Sequence, residues 1–352
     1  MGGAVIKVLV IDDSALIRQV LTELINRAPD MTVIGAVGDA YAARDFIRKS
    51  PPDVLTLDIE MPRMDGLTFL QKLMKAHPMP VVMVSTLTET GAEATLQALD
   101  IGAVDFIAKP KLDIRREMVE YQNVIHDKLR AAAAVKRFRA QPRNATRKPV
   151  PTLGISTEHI LAIGASTGGT EAIKAVLESL PGDSPGVVIT QHMPPGFTRT
   201  FAERLNKHCA LEVREARGNE RILPGQAFLA PGHLHLTVVR SGSDFQTRLV
   251  DSPEVQGHRP SVDVLFESVA QACGANAVGV ILTGMGKDGA AGMLSMYQAG
   301  CFTLAQDEAS CVVFGMPKVA LELGGVAEVQ SLDVIGDRLV QHWRSVGAGH
   351  RI

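Results

Sequence analysis

Along the first 125 residues, short aliphatic runs alternate with longer stretches of helical period. The runs are VIKVLVI, TVIGAV, DVLTLDI, PVVMVS and DFIAK, and the stretches between them include SALIRQVLTELINRA and GLTFLQKLMKAH. The runs are rich in β-branched residues and apolar on nearly every position, as strands buried on both faces are, so the pattern predicts a doubly wound α/β unit with a parallel sheet. From residue 128 to 150 the chain reads KLRAAAAVKRFRAQPRNATRKPV, with many basic residues and no Asp or Glu. It begins as a plausible helix and ends Pro-rich, which marks a linker. A second alternation comes next: HILAIGAS, GGTEAIKAVLESL, GVVITQHM and FTRTFAERLNKH, then several short strands over 211–250, then SVDVLFESVAQAC, AVGVILT, GAAGMLSMYQAG, FTLAQ, GMPKVALELG and VAEVQ. The short strands, with turns at Pro224-Gly225 and Pro231-Gly232, are expected to form an antiparallel hairpin inserted in, or edging, a mostly parallel sheet. The expected division is therefore 1–127, a linker 128–152, and 153–348.

Composition narrows the class. Of 352 residues, 46% are hydrophobic and 21% charged, the balance of a folded globular protein, and the length suits two cores. The net charge of -2 supplies no overall field toward nucleic acid or anionic lipid. No apolar run reaches the roughly 20 residues of a membrane helix, and MGGAVIKVLVIDD leads straight into a strand, so a cytoplasmic protein without membrane insertion is expected. Cys209, Cys273, Cys301 and Cys311 are scattered without a C-x-x-C pair and read as reduced, mostly core residues.

In the N-terminal unit, Asp12, Asp13, Asp58, Ser85 and Lys109 all fall where strands should end. The carboxyl ends of parallel strands form the functional crevice of an open α/β sheet, so these residues should converge. Three carboxylates there suit Mg²⁺, Lys109 and Ser85 suit phosphoryl oxygens, and Asp58 is a candidate nucleophile toward phosphorus. The stretches VLVIDD, LDIEMPRMDG, VMVS and DFIAKP resemble the receiver domain of two-component response regulators. That resemblance implies phosphotransfer from a histidine kinase to Asp58, and Mg²⁺ held by Asp12, Asp13, Asp58 and the backbone of Glu60. It also implies a switch involving Ser85, Phe106 and Lys109.

In the C-terminal unit, ILAIGASTGGTEAI poses two alternatives for Gly164 to Gly169. A strand, a glycine turn and a helix start make an anion cradle. Yet the spacing fits neither G-x-x-x-x-G-K-[ST] nor G-x-G-x-x-G, and it does fit G-x-S-x-G with Ser166 on the turn. Two further strand ends supply His192, before a Pro-Pro-Gly break, and Asp288, in the loop TGMGKDG. Ser, His and Asp converging are a nucleophile, its general base and the group that fixes the base's tautomer. Backbone N–H groups at Met285 and Thr167 are the candidate oxyanion donors, each such donor contributing about 2.7–4 kcal/mol in measured systems. The chain order Ser, His, Asp differs from the Ser, Asp, His of α/β-hydrolases and points to another hydrolase architecture.

The stretches AIGASTGGTEAI, TQHMPPGFT, HRPSVDVLF and ILTGMGKDGAAGM resemble the catalytic domain of the chemotaxis-receptor methylesterase (CheB) family. The resemblance implies hydrolysis of glutamate methyl esters on chemoreceptors and deamidation of specific receptor glutamines, with Ser166, His192 and Asp288 as triad. It implies relief of a receiver-imposed block when Asp58 is phosphorylated, and it puts His258 and Arg259 near the cleft as substrate contacts. The esterase reaction needs no cofactor, nucleic acid is not an expected partner, and a monomer is expected. The alternative is a non-enzymatic response regulator whose output domain binds nucleic acid or protein. His233-Leu234-His235 lacks a third metal ligand and reads as surface or edge histidines.

Overall fold

The computed structural model describes residues 5–86, 88–109, 117–135 and 159–349. The chain divides into two compact units, Met1–Arg143 and Asn144–Ile352.

In the first unit, β1 (Ile6–Ile11), β2 (Met31–Val37), β3 (Val54–Asp58), β4 (Val81–Ser85) and β5 (Asp105–Ala108) form one sheet in the order β2-β1-β3-β4-β5. Every neighbouring pair is parallel. The helices are α1 (Ala15–Asn26), α2 (Ala40–Lys49), α3 (Gly66–Ala76), α4 (Glu89–Ile101) and α5 (Glu117–Ala133). Side-chain caps start α1, α2 and α3: Ser14, Asp39 and Asp65 each accept from a first-turn N–H, replacing a partner the helix cannot supply itself. Val8, Val10, Val54, Val82 and Ile107 of the sheet pack with Leu21, Leu24 and Ile25 of α1 and with Ile125 and Leu129 of α5.

The expected linker start at residue 128 is too early. Residues 128–133 are the last turns of α5, and Leu129, Ala131 and Ala132 are buried. Lys128 pairs with Asp105 at 2.6 Å, and Arg130 pairs with Asp30 at 2.8 Å. A run without acids suggests a solvated segment; at its start, Lys128 and Arg130 instead find acids outside the run. The remainder of the expected linker, 136–152, lies outside the described residues.

The second unit contains β6 (Ile160–Ala165), α6 (Gly169–Ser179), β7 (Gly186–Gln191), α7 (Phe197–His208), β8 (Glu212–Glu215), β9 (Gln226–Leu229), β10 (His235–Ser241) and β11 (Asp244–Val250). It continues with α8 (Val262–Cys273), β12 (Ala277–Ile281), α9 (Ala290–Gln298), β13 (Phe302–Gln306), α10 (Met316–Glu322), β14 (Glu328–Gln330) and α11 (Ile335–Gly349). Seven strands form a wholly parallel sheet in the order β14-β13-β12-β6-β7-β9-β8. The hairpin foreseen within 211–250 is present as β10 and β11, paired from His235↔Val250 to Ser241↔Asp244. It is a separate two-stranded sheet, however, and the edge of the main sheet is the parallel pair β9-β8. Alternation alone could not assign these short strands to their sheets, because a strand's period does not name its partner.

Leu236, Val238 and Phe245 of the hairpin join Val262, Leu265, Phe266 and Val269 of α8 in one buried cluster. Strand order reverses between β6 and β12, so a crevice opens at their carboxyl ends. This α/β unit is not the helix-turn-helix that a DNA-binding output domain would carry.

Because α5 is part of the first unit's core, Leu129→Ala should destabilise that unit by about 2–5 kcal/mol in urea unfolding of the full chain. A change below about 0.5 kcal/mol, as at an exposed site, would contradict the assignment of these residues to α5.

Candidate active site

The first unit gathers its polar strand ends as expected. Asp12 and Asp13 come directly after β1, Asp58 ends β3, Ser85 ends β4 and Lys109 comes directly after β5. One carboxylate oxygen from each of Asp12, Asp13 and Asp58 lies within 4.8 Å of the others. Lys109 Nζ stands 2.9 Å from Asp58 and 3.4 Å from Asp12. Asp58 Oδ1 accepts from the Glu60 backbone N–H at 3.3 Å, while Asp58 Oδ2 is buried without a hydrogen-bond partner. A buried carboxylate oxygen left without a donor, beside two more carboxylates, is a donor set that fits a hard divalent cation. Burial, with the Asp12 charge adding to it, outweighs Lys109 and pushes the Asp58 carboxyl up to about 6. A cavity of about 470 Å³ lies beside the cluster, lined among others by Asp13, Glu60, Met61, Asp65 and Thr90.

Ser85 does not point its hydrogen toward the acids. Its hydroxyl donates to the carbonyls of Gly91 at 3.1 Å and Thr86 at 3.3 Å, tying β4 to the start of α4. Phe106 is buried, with Lys128 Nζ 5.2 Å from its ring centre.

The second unit builds its site at the reversal of strand order. Ser166 comes directly after β6, and its backbone N–H donates to Thr283 O beyond β12 at 3.0 Å. Its carbonyl accepts from the Gly169 N–H at 2.7 Å and from Gln191 Nε2 at 2.9 Å, which closes the turn. Gly168 takes φ +77, a left-handed conformation that strains any residue with a Cβ, and so lets α6 begin soon after the strand. On the other side a Cβ at Gly284 would stand 2.8 Å from Ser166 Cβ and 2.2 Å from Met316 Sδ, so only glycine fits. Thr283 Oγ1 donates to Thr167 O at 3.0 Å and accepts from the Val313 N–H at 3.0 Å, fixing the two loops to each other. Thr167 is buried and Met285 half-buried on those loops.

His192 comes directly after β7, its backbone N–H donating to Ala165 O at 3.1 Å, which sets it beside the Ser166 turn. Its Nε2 is 2.7 Å from Asp288 Oδ2. Its Nδ1 is buried and has no hydrogen-bond partner, so the Asp–His contact is closed while the Ser–His contact is open. Hydrogen bonds of this kind are often made only with substrate bound.

Asp288 is 1% exposed and saturated with donors. Besides His192, it accepts from Ser261 Oγ at 2.7 Å, the Val262 N–H at 2.7 Å and the Asp263 N–H at 3.1 Å. Three of its four donors thus come from the start of α8, where helical N–H groups lack partners and the helix dipole favours an anion. Burial alone would raise the Asp288 carboxyl; the His192 contact and these donors reverse it and hold the group well below the ordinary carboxylate range. A His ring held against a fixed anion is fixed in orientation and tautomer, as a general base must be.

His258 stacks on His192, with ring centres 3.7 Å apart and planes 14° apart. Arg259 is instead engaged at the surface, with Asp251 at 2.8 Å and Ser252 O at 3.2 Å.

Residues 161–339 match the family model described as CheB methylesterase, and residues 8–119 match that of the response regulator receiver domain. The chain is 59% identical over 351 residues to the protein-glutamate methylesterase/protein-glutamine glutaminase of Nitrosomonas europaea, covering 98% of each chain. It is 57% identical over 349 residues to the protein of the same description from Salmonella typhimurium, covering 99% of each. The chain belongs to the CheB methylesterase family. Among solved structures, the CheB methylesterase catalytic domain of Thermotoga maritima is similar with a TM-score of 0.51 at 36% identity, covering 52% of this chain and 98% of that one.

Several residues that shape this family site are not legible from the sequence. Ser261 stands in HRPSVDVLF, and a Ser ahead of an apolar helix is an N-cap signal, but its tie to Asp288 needs the tertiary structure. Thr283 and Gln191 give no signal, since each acts on backbone brought near by sheet pairing. The expectation of surface or edge histidines fails at His235, which is fully buried, whereas His233 is exposed. β10 begins at His235, so His233 lies in the preceding turn and the two do not share a strand face.

The buried Asp58 carries a pH dependence of defined sign. Its carboxyl sits at about 6 in the folded protein against an ordinary value of 3.8, so its contribution favours folding below 3.8 and is lost as pH rises through 6. With divalent metal chelated, Asp58→Asn should therefore stabilise the first unit at pH 7.5 by on the order of 2 kcal/mol, a value in which the Lys109 contact is already counted. The gain should vanish near pH 4 in urea unfolding. A gain that does not change with pH would contradict burial as its cause.

Proposed function

We propose that Ser166, His192 and Asp288 are the catalytic triad of this chain and that Asp58 is the phosphorylated residue that controls it. The chain is a protein-glutamate methylesterase/protein-glutamine glutaminase under receiver control, acting in chemotactic adaptation. The single observation that carries the triad is a buried, donor-saturated Asp288 at 2.7 Å from one nitrogen of His192, whose other nitrogen is left unpaired beside the Ser166 turn.

The Ser166 hydroxyl attacks the carbonyl carbon of a receptor glutamyl methyl ester and passes its proton to His192 Nδ1. The imidazolium is stabilised through Nε2–H by Asp288. The oxyanion of the tetrahedral intermediate takes hydrogen bonds from the Met285 and Thr167 backbone N–H groups, close to the uncapped start of α6. Collapse expels methanol, which receives the proton from His192. Water then attacks the acyl-enzyme, with His192 as base, to free glutamate and Ser166. A glutamine side chain takes the same path with ammonia leaving. His258 borders the base and is a substrate-side residue; Arg259 has the same role only on releasing Asp251.

In the receiver, Asp12, Asp13, Asp58 and the Glu60 backbone would hold Mg²⁺, which when bound neutralises charge on a phosphoryl group. Lys109 Nζ, already 2.9 Å from Asp58, neutralises the phosphorylated side chain. Ser85 leaves Gly91 O to meet a phosphoryl oxygen, and Phe106 repacks with it. The phosphodonor is the histidine kinase of the same signalling system, the substrate is a methylated chemoreceptor, and the enzyme works in the cytoplasm as a monomer. The unphosphorylated receiver restrains the esterase, and phosphorylation lifts the restraint.

Methanol release from methylated receptor membranes tests both halves. Ser166→Ala should lower it by at least about 10³-fold. A small phosphodonor should stimulate the native chain and leave Asp58→Asn unchanged. Undiminished release by Ser166→Ala would remove the nucleophile, and equal stimulation of Asp58→Asn would remove the switch.

A further inference from the structure

The hairpin β10-β11 stands outside the main sheet, and neither strand supplies a residue to the triad. Its first residue, His235, is nevertheless buried completely, directly behind the start of α8. His235 Nδ1 accepts from the Ser261 backbone N–H at 3.1 Å, and Nε2 stands 3.1 Å from Pro253 O. A ring nitrogen that accepts from an N–H carries no proton, so Nε2 carries it and donates to Pro253. Both ring nitrogens are therefore committed.

Ser261 is the residue that caps α8. Its hydroxyl donates to Asp288 Oδ1 at 2.7 Å and takes the Val264 N–H at 3.4 Å. Three consecutive backbone N–H groups thus have fixed destinations: Ser261 to His235, then Val262 and Asp263 to Asp288. We infer that His235 is a positioning residue for the esterase reaction: by accepting the Ser261 N–H it aims the next two N–H groups and the Ser261 hydroxyl at Asp288, and through Asp288 it orients His192. The hairpin is the brace that carries it, and Val238 N–H of the same strand donates to Ser268 Oγ of α8 at 3.0 Å, one helix flank further on.

Without an acceptor at the His235 Nδ1 position, the Ser261 N–H is buried and unpaired. The chain can relieve that cost only by turning the start of α8, which withdraws donors from Asp288. His192 then loses its fixed orientation, and a misplacement near 1 Å costs about tenfold to a hundredfold in rate. His258, stacked on His192, can shift with it, but the displaced group is the base itself, so the larger loss falls on kcat.

This inference rests on the triad reading, and the test separates the two. The amide oxygen of Asn can occupy the place of an imidazole Nδ1 and the amide nitrogen of Gln that of Nε2, so the two variants keep opposite ends of the chain of bonds. In full-length protein, His235→Gln should lower kcat for methanol release about tenfold or more with a smaller change in KM, at an assay temperature well below its unfolding midpoint. It should also shift the downfield proton resonance of the His192–Asp288 hydrogen bond. His235→Asn should restore kcat to within about threefold of native and return that resonance to its native position. Equal kcat and equal resonance in both folded variants and the native chain would overturn the inference, as would equal losses in both variants. If His235→Gln does not fold, His235→Ala, which also offers no acceptor to the Ser261 N–H, takes its place: lost kcat and a shifted resonance beside a native-like His235→Asn support the assignment, and native values in a folded His235→Ala contradict it. Ser166→Ala, assayed alongside, reports on the triad itself. Full activity there would overturn the underlying reading, whereas loss there with a native-like His235→Gln would overturn only the role of His235.

Discussion

A carboxylate at 1% exposure is costly to keep charged, and the catalytic unit is organised around meeting that cost at Asp288. The donors are not supplied by mobile side chains alone. Two are backbone N–H groups of the first residues of α8, and a third is the hydroxyl that caps the same helix. A helix start is one of the few places where a protein has spare N–H groups at fixed positions, and its dipole favours a negative charge. Because the helix is packed in the core through Val262, Leu265 and Phe266, the anion inherits the rigidity of the core, and His192 inherits it from the anion.

Both units solve the same geometric problem in the same way, with different chemistry. Strand order reverses between β1 and β3 in one and between β6 and β12 in the other, and polar residues placed just after those strands meet in the gap. In the receiver the residues are acids with one lysine, and a buried Asp58 oxygen is left without a donor, which suits a cation and a phosphoryl group. In the esterase they are a serine, a histidine and an acid, and the unpaired atom is a nitrogen that can take a proton. Glycine appears in the second site because the main chain passes within side-chain distance of Ser166, at Gly284, and turns left-handed at Gly168.

Much of this is legible in the chain itself. The acids of VLVIDD and LDIEMP, the serine of GASTGG and the histidine of TQHMPP all stand at the ends of apolar runs, and a parallel sheet gathers the carboxyl ends of its strands along one edge. The features that resist reading depend on which elements pack together. The period of β10 and β11 reports strands but not that they form a sheet of their own packed on α8. The start of the basic run after Asp127 resembles a solvated segment because the acidic partners of Lys128 and Arg130, Asp105 and Asp30, come from elsewhere in the fold. His235 resembles half of an exposed H-x-H until the strand start is seen to fall between the two histidines.

The role of Ser166 as the residue that carries the acyl group is the claim on which the mechanism turns. Rapid acid quenching of the enzyme during turnover of a glutamyl-methyl-ester receptor peptide, with subsequent proteolysis and mass spectrometry, reads that group directly. The triad assignment predicts the peptide's acyl mass, less methanol, on the fragment containing Ser166 and its disappearance in Ser166→Ala. An adduct on a different residue, or its persistence in Ser166→Ala, would contradict it.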